Sequence, residues 1–377
     1  MSRKNYKALG LMSGSSLDGL DIAYCNFEVE KTATNQLIVH DWQILEAETI
    51  AFSEAWQARL SQLPTQTALI LAKTHTYLGH YLGDMVADFI VRYKIDPHFI
   101  AAHGHTIFHE PAGRMTLQIG DGSAMAAITG YPVISNFRNQ DIAIDGEGAP
   151  VAPIIDKYLL PGHDFYLNLG GIANMTAVLP NKVLAFDICP ANQLLNFLAN
   201  QVNLEYDEGG QIAATGTILP DLLKVINRAD FYRKSYPKSL DNAWSKTAIL
   251  SQLEADKTAI PNQLCTLVEH IAHQIAFAIK QVIRKENIQK NKLSLLATGG
   301  GAFNTFLMER LQAKCTEVAD LEVIIPNPDI VQFKEAVLMA WMGVMRVENI
   351  PNVLKTVTGA RRDTINGAIH QGWKKLI

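Results

Sequence analysis

"LGLMSGSSLDGLDIAYC", Leu9 to Cys25, sets two apolar runs on either side of a tight cluster of Gly, Ser and Asp. The runs read as strands over residues 7–12 and 20–28, with the cluster as the turn between them. Such a turn has two readings. One is a surface hairpin that needs Gly, Ser and Asp for backbone reasons. The other is an anion cradle, in which inward-pointing N–H groups and a glycine let a phosphate approach the main chain. Ser13, Ser15 and Ser16 would add hydroxyl donors. Asp18 and Asp21 suit a phosphate only with a magnesium ion between, often bridged by water.

The chain around this turn is long enough for two domains, at 377 residues. It is 48% hydrophobic and 19% charged, which is globular, and its net charge of −4 does not suggest a nucleic-acid partner. No apolar run approaches the roughly 18 residues of a membrane span. The N-terminus carries no apolar segment of the secretory type, so the expected setting is cytoplasmic. Cys25, Cys189, Cys265 and Cys315 are scattered and suggest neither a zinc site nor a disulfide framework.

Strand and helix patterns alternate along the whole chain, which predicts an α/β fold. A periodic stretch over 66–93 reads as one long helix, and Ala336, Met339, Ala340, Gly343, Val344 and Val347 mark one face of another. Two more glycine turns follow strands: Gly170-Gly171 in "NLGGIANMT" and Gly299-Gly300-Gly301 in "TGGGAFN". Each is read as an anion site or as close backbone packing. The P-loop and dinucleotide-fold glycine patterns are absent.

Asp187 ends the apolar run "VLAF" ahead of a helix, so it either faces a ligand crevice or caps that helix. Arg138 sits in a Pro/Gly-rich approach to a domain boundary, as a ligand contact or a solvated loop arginine. Glu335 lies beside an apolar helix face, as a site acid or a surface acid. His103, His105 and His109 lack metal-ligand spacing and read as neutral donors or core-edge residues.

"GLMSGSSLDGLDIA", "AHGHTIFHEP", "LQIGDGSAMA", "NFRNQDIAIDGEGAPVAP", "NLGGIANMT", "FDICPAN", "TGGGAFN" and "TGARRD" occur in that order. Together they resemble the anhydro-N-acetylmuramic acid kinase family, bacterial sugar kinases of cell-wall recycling. The resemblance implies the actin-like ATPase (ribonuclease H-like) fold, with two α/β domains around a nucleotide cleft. The expected domains are 1–135, completed by 355–377, and 136–354.

The resemblance also implies the site. Gly14, Ser15, Ser16, Leu17, Asp18, Gly19, Leu20 and Asp21 correspond to the first phosphate loop, and Gly170 and Gly171 to the second. Gly299, Gly300 and Gly301 correspond to the adenosine-side turn, Asp187 to the catalytic base, and Arg138 and Glu335 to sugar-side residues. ATP and Mg2+ are the implied cofactors, with Asp18 on the metal side through water, and a homodimer is the implied assembly. The implied reaction opens the 1,6-anhydro ring with water and phosphorylates O6, giving N-acetylmuramic acid 6-phosphate. The chain departs from the family pattern at Ile188, Cys189 and Ala191, where FDTGPGN is usual, at Asp145 and Glu147 in "DGEGAP", where GGQGAP is usual and the two acids would be added close to the sugar, and at His105, where Gln is usual. Two alternatives stay open: a kinase of this fold for another sugar, and a nucleotide-binding regulator without turnover.

Overall fold

A computed structural model describes residues 3–14, 17–180, 182–236, 238–240 and 242–376. The chain divides into two compact units, residues 1–161 with 333–377, and residues 162–332.

The first unit contains β1 (Arg3–Met12), β2 (Gly19–Lys31), β3 (Leu37–Ala51), β4 (Phe99–Ala102), β5 (His105–Glu110), β6 (Met115–Ile119), β7 (Val133–Ser135) and β13 (Ala368–His370). Its main sheet runs β13-β7-β4-β1-β2-β3. β1, β2 and β3 form an antiparallel meander, and β4 and β7 add in parallel beside β1. Alternation along β1 and β2 explains why both faces are covered. Leu9, Leu11, Leu20, Ile22 and Tyr24 join a core with Leu78, Leu82, Val86 and Phe89 of the helix Ala68–Tyr93. Tyr6, Ala8, Ala23, Cys25 and Phe27 face the opposite core, with Ala336, Met339, Ala340 and Trp341 of the helix Pro328–Val347. Gly10 allows that second contact, because a Cβ there would lie 1.8 Å from the Ala336 carbonyl oxygen. The long helix expected over 66–93 starts two residues later, at Ala68, with the Thr67 hydroxyl capping the Ile70 N–H.

The second unit repeats the plan. β8 (Phe165–Leu169), β9 (Ile172–Leu179) and β10 (Lys182–Pro190) form an antiparallel meander, and β11 (Leu293–Thr298) and β12 (Leu321–Ile324) add in parallel beside β8. The sheet order is β10-β9-β8-β11-β12. The helix Ile260–Lys285 buries Leu264, Leu267, Val268, Ile271 and Ile275 against it. Meander-then-parallel sheets in both halves are the duplicated ribonuclease H-like plan of actin-like ATPases, the fold class the sequence implies. Among the described residues, no helix is long and apolar enough to cross a membrane.

The units divide at 161/162 and 332/333, not at the expected 135/136 and 354/355. The Pro/Gly-rich stretch after Tyr131 is not a linker. Ile154, Ile155 and Leu159, which follow it, lie in the core with Ala8 and Trp341, and the Trp42 indole N–H donates to the Leu159 carbonyl at 2.7 Å. The apolar face of the helix Pro328–Val347 belongs to the same core, so the division falls within that helix.

Candidate active site

In the first unit, β1 and β2 deliver the turn of the opening stretch. Leu17 adopts φ +61° and its N–H approaches the Gly14 carbonyl at 3.4 Å. Ser15 and Ser16 lie outside the described residues. Ser13 is buried and donates its hydroxyl to the Gly104 carbonyl at 3.2 Å, so it braces the turn rather than offering a free donor. The Gly19 N–H is held by the Asp18 carboxylate at 3.0 Å. Leu20 packs into the core between paired strands and brings no side chain to the turn. Among the described residues of the expected 14–21 cradle, Gly14, Leu17 and Asp18 form the turn, and Gly19, Leu20 and Asp21 open β2.

Asp21 accepts the Thr49 hydroxyl at 2.6 Å. Burial raises its carboxyl above the ordinary range; the Thr49 bond opposes that and the nearby Asp18 charge adds to it. Two carboxylates that repel each other at one turn are hard oxygen donors suited to Mg2+, which takes few protein ligands and keeps water. Among the described residues no three His, Cys, Asp or Glu side chains group to hold a metal. The residues that fit magnesium are thus this pair, not a full protein cage.

Arg138 precedes the short helix Asn139–Ala143. Its Nε is buried with no hydrogen-bond partner, and among the described residues its guanidinium forms no ion pair. Burial lowers its pKa and the Glu335 charge opposes that. Glu335 has solvent-open surface, yet the protein around it desolvates its carboxyl and raises its pKa. The Asp21 charge adds to this, and the Arg138 and Lys334 charges oppose it. Lys334 is itself held by Asp156 at 2.6 Å. The field around Glu335 thus links the acid turn to Arg138.

The histidine motif lies in the same unit. His103 is fully buried, its Nδ1 lies 2.9 Å from the Gly104 carbonyl, and its Nε2 has no partner. Burial, then the Arg138 charge, pushes it down to about 3, so it is neutral. His105 is also buried and lowered by burial, with an unpartnered Nδ1, and Gln118 has an unpartnered Oε1. Neutral polar atoms buried without partners suit hydroxyl and amide recognition better than charge. Asp145, read as an extra site acid, is instead taken by Arg361 and by Arg114 at 2.5 Å. Burial and then the Arg138 charge lower the pKa of His109, and the charge of the exposed Glu147 opposes them.

In the second unit, the β8–β9 turn carries Gly170 and Gly171. Their carbonyls accept N–H groups from Asn192, Ala191 and Gln193, which fixes the turn against the start of the helix Asn192–Asn200. A Cβ at Gly171 would meet nothing nearer than 3.8 Å, at Gly170 nothing nearer than 3.7 Å, and at Gly300 nothing nearer than 3.8 Å. Packing explains none of these three glycines. It does explain the others. Gly299 has φ +82°, and a Cβ at Gly301 would lie 2.8 Å from that of Leu169.

Asp187 lies in β10, an edge strand, paired opposite Asn174. A bulge follows it at Ile188, which re-aims the strand at that point. The Asp187 N–H donates to the Lys238 carbonyl at 3.0 Å. Its Oδ2 accepts the Leu240 N–H at 2.8 Å and the Ser239 hydroxyl at 3.2 Å. Burial raises its carboxyl above the ordinary range, and the Leu240 and Ser239 bonds oppose that. The helix after it has Ala191 as N-cap with no side-chain bond, so Asp187 is not its cap. Sequence spacing gives no hint of residues 238–240, which reach Asp187 from a distant loop.

The family model for anhydro-N-acetylmuramic acid kinase matches residues 6–372. The chain belongs to the anhydro-N-acetylmuramic acid kinase family. It is 32% identical to the "Anhydro-N-acetylmuramic acid kinase" of Sulfurovum sp. (strain NBC37-1), over 98% of this chain and 100% of that relative. The relative so named in Shewanella frigidimarina (strain NCIMB 400) is 34% identical, over 97% and 98%. That in Coxiella burnetii (strain RSA 493 / Nine Mile phase I) is 33% identical, over 99% of each. Within the anhydro-N-acetylmuramic acid kinase family pattern, the departures Ile188, Cys189 and Ala191 are all buried in the core of the second unit. Burial pushes the Cys189 thiol far up, so it is a small core residue rather than a nucleophile.

Proposed function

We propose that this chain is an ATP-dependent kinase of anhydro-N-acetylmuramic acid in peptidoglycan recycling. In this reading water attacks C1, the C1–O6 bond breaks, O6 takes the γ-phosphoryl group, and ADP and N-acetylmuramic acid 6-phosphate leave. The observation that carries the reading is Asp187: a desolvated carboxylate with both donors on Oδ2, and no described residue donating to Oδ1. Oδ1 is free to take the proton of the attacking water as general base.

Arg138, short of a counter-charge, suits the lactyl carboxylate of the muramic sugar. Glu335 and the neutral His103 and His105 suit its hydroxyl and amide groups. Gly170 and Gly171 leave main chain for phosphate groups to approach, as Gly300 does on the adenosine side, and Gly14, Leu17 and Asp18 belong to the first phosphate loop. Asp18 and Asp21 would hold Mg2+, which when bound spreads the charge on the phosphates. A cytoplasmic setting and, from the family resemblance, a homodimer belong to the same reading.

The test is an assay of ADP formation with ATP, magnesium and anhydro-N-acetylmuramic acid, set beside other hexoses and amino sugars. ADP formation dependent on the anhydro-sugar supports the reading. Preference for another sugar, or nucleotide binding without turnover, rejects it.

The glycine turns give a paired prediction. Gly171→Ala meets no protein atom closer than 3.8 Å, so it should melt with the wild type while its KM for ATP rises. Gly301→Ala crowds Leu169 and Asn192, so it should lower the melting temperature. Calorimetry beside ATP titrations checks both; an unchanged KM for ATP in folded Gly171→Ala removes that turn from the nucleotide site.

A further inference from the structure

We propose that Ser239 is the positioning residue for Asp187, an inference that rests on Asp187 acting as the base. Residues 238–240 run along the free edge of β10 and grip Asp187 at both ends of the residue. The Lys238 carbonyl takes its N–H at 3.0 Å, and the Leu240 N–H and Ser239 hydroxyl both donate to Oδ2, at 2.8 and 3.2 Å.

The segment is itself anchored. The Lys238 ammonium lies 4.4 Å over the Phe231 ring and donates to the Phe231 carbonyl at 3.3 Å. Tyr236 stacks on Phe186, the residue before Asp187, with ring centroids 5.0 Å apart and planes 13° from parallel. Tyr236 also donates its hydroxyl to Glu286 at 2.9 Å. The loop is therefore held before Ser239 by Tyr236 and Lys238, and after it by Leu240, which is buried in the core of the second unit.

Two donors on one oxygen do two things. They stop the carboxylate rotating, so Oδ1 keeps one direction. They also favour the ionised form, against the burial that raises its pKa. The Leu240 donor is main chain, which leaves Ser239 as the side-chain part of the device. Ser239 is exposed, so its removal should cost the fold little.

Ser239→Ala and Ser239→Thr, each alone and with Asp187→Asn, test this through kcat against pH at saturating ATP and anhydro-sugar. Ser239→Ala should lower kcat by roughly three- to tenfold and move its acid limb to higher pH, because a bond favouring the carboxylate is lost. Melting temperature and KM for ATP should stay unchanged, and Ser239→Thr should restore both rate and limb. In Asp187→Asn the Ser239 change should add nothing. A native rate and unmoved acid limb for Ser239→Ala, while Asp187→Asn is impaired, overturns the positioning role alone. Near-native turnover of Asp187→Asn removes the base itself, and the positioning role with it.

Discussion

Asp187→Asn is expected to lower kcat for the anhydro-sugar by about 10²–10⁴-fold, the usual contribution of a positioned base. Its KM for ATP should change little, since the residue is assigned to the attacking water rather than to the nucleotide. The amide oxygen of Asn can still accept the Leu240 N–H and Ser239 hydroxyl, so the variant should melt with the wild type. It cannot accept the proton.

The pH dependence follows from the same carboxylate. Burial raises its pKa, so the acid limb of kcat should lie above the ordinary carboxylate value of about 3.9, with the rate rising as pH rises through it. A raised carboxyl also favours the folded state most fully at low pH, below the unfolded value. That contribution fades as pH climbs through the folded pKa. The Asn variant should lack both the acid limb and this term. A stable Asp187→Asn protein with near-native turnover would exclude Asp187 from the chemistry.

Arg138→Ala should raise the KM for the anhydro-sugar by roughly a hundredfold, the scale on which truncating one partner of a desolvated charge pair acts. The KM for ATP should move far less. In the free protein the guanidinium has a buried Nε without a partner and no ion pair among the described residues. Removing it should therefore leave the ligand-free melting temperature unchanged or higher, because a charge short of partners is costly to desolvate. Losing its charge should also raise the Glu335 carboxyl further, since Arg138 holds it down. Lactyl-free anhydro-N-acetylglucosamine separates carboxylate recognition from general damage: it should bind wild type and variant alike. Equal loss of both sugars would reject the carboxylate contact.

Much of this architecture is legible in the chain itself. The opening stretch reads as two strands and a turn because its apolar residues alternate between two covered faces, and the structure puts Leu9, Leu11 and Ile22 on one and Ala8, Ala23 and Phe27 on the other. The division between units is not legible. Pro and Gly after Tyr131 look like a linker, but Ile154, Ile155 and Leu159 beyond them pack back into the first core. Local composition cannot report that tertiary choice.

The site shows the same split. Asp187 is found because it ends an apolar run, although β10 continues past it to Pro190, whereas Ser239 and Leu240 reach it through loop main chain and one hydroxyl, which leave no periodic mark. Ser13 and Leu20 look like cradle residues by proximity, yet one braces Gly104 and the other fills the core. Asp145 looks like a site acid until Arg114 and Arg361, distant in sequence, are seen to neutralise it.

In the proposed reaction, one turnover couples opening of the anhydro bridge by water to phosphorylation of O6. The most direct measurement is mass spectrometry of the products formed in 18O-labelled water from ATP, magnesium and anhydro-N-acetylmuramic acid. ADP and N-acetylmuramic acid 6-phosphate are expected in equal amounts, with one 18O on C1 of the sugar and none in the phosphate. ADP formed with the label in free phosphate, or a phosphorylated sugar with its anhydro bridge intact, would contradict that coupling.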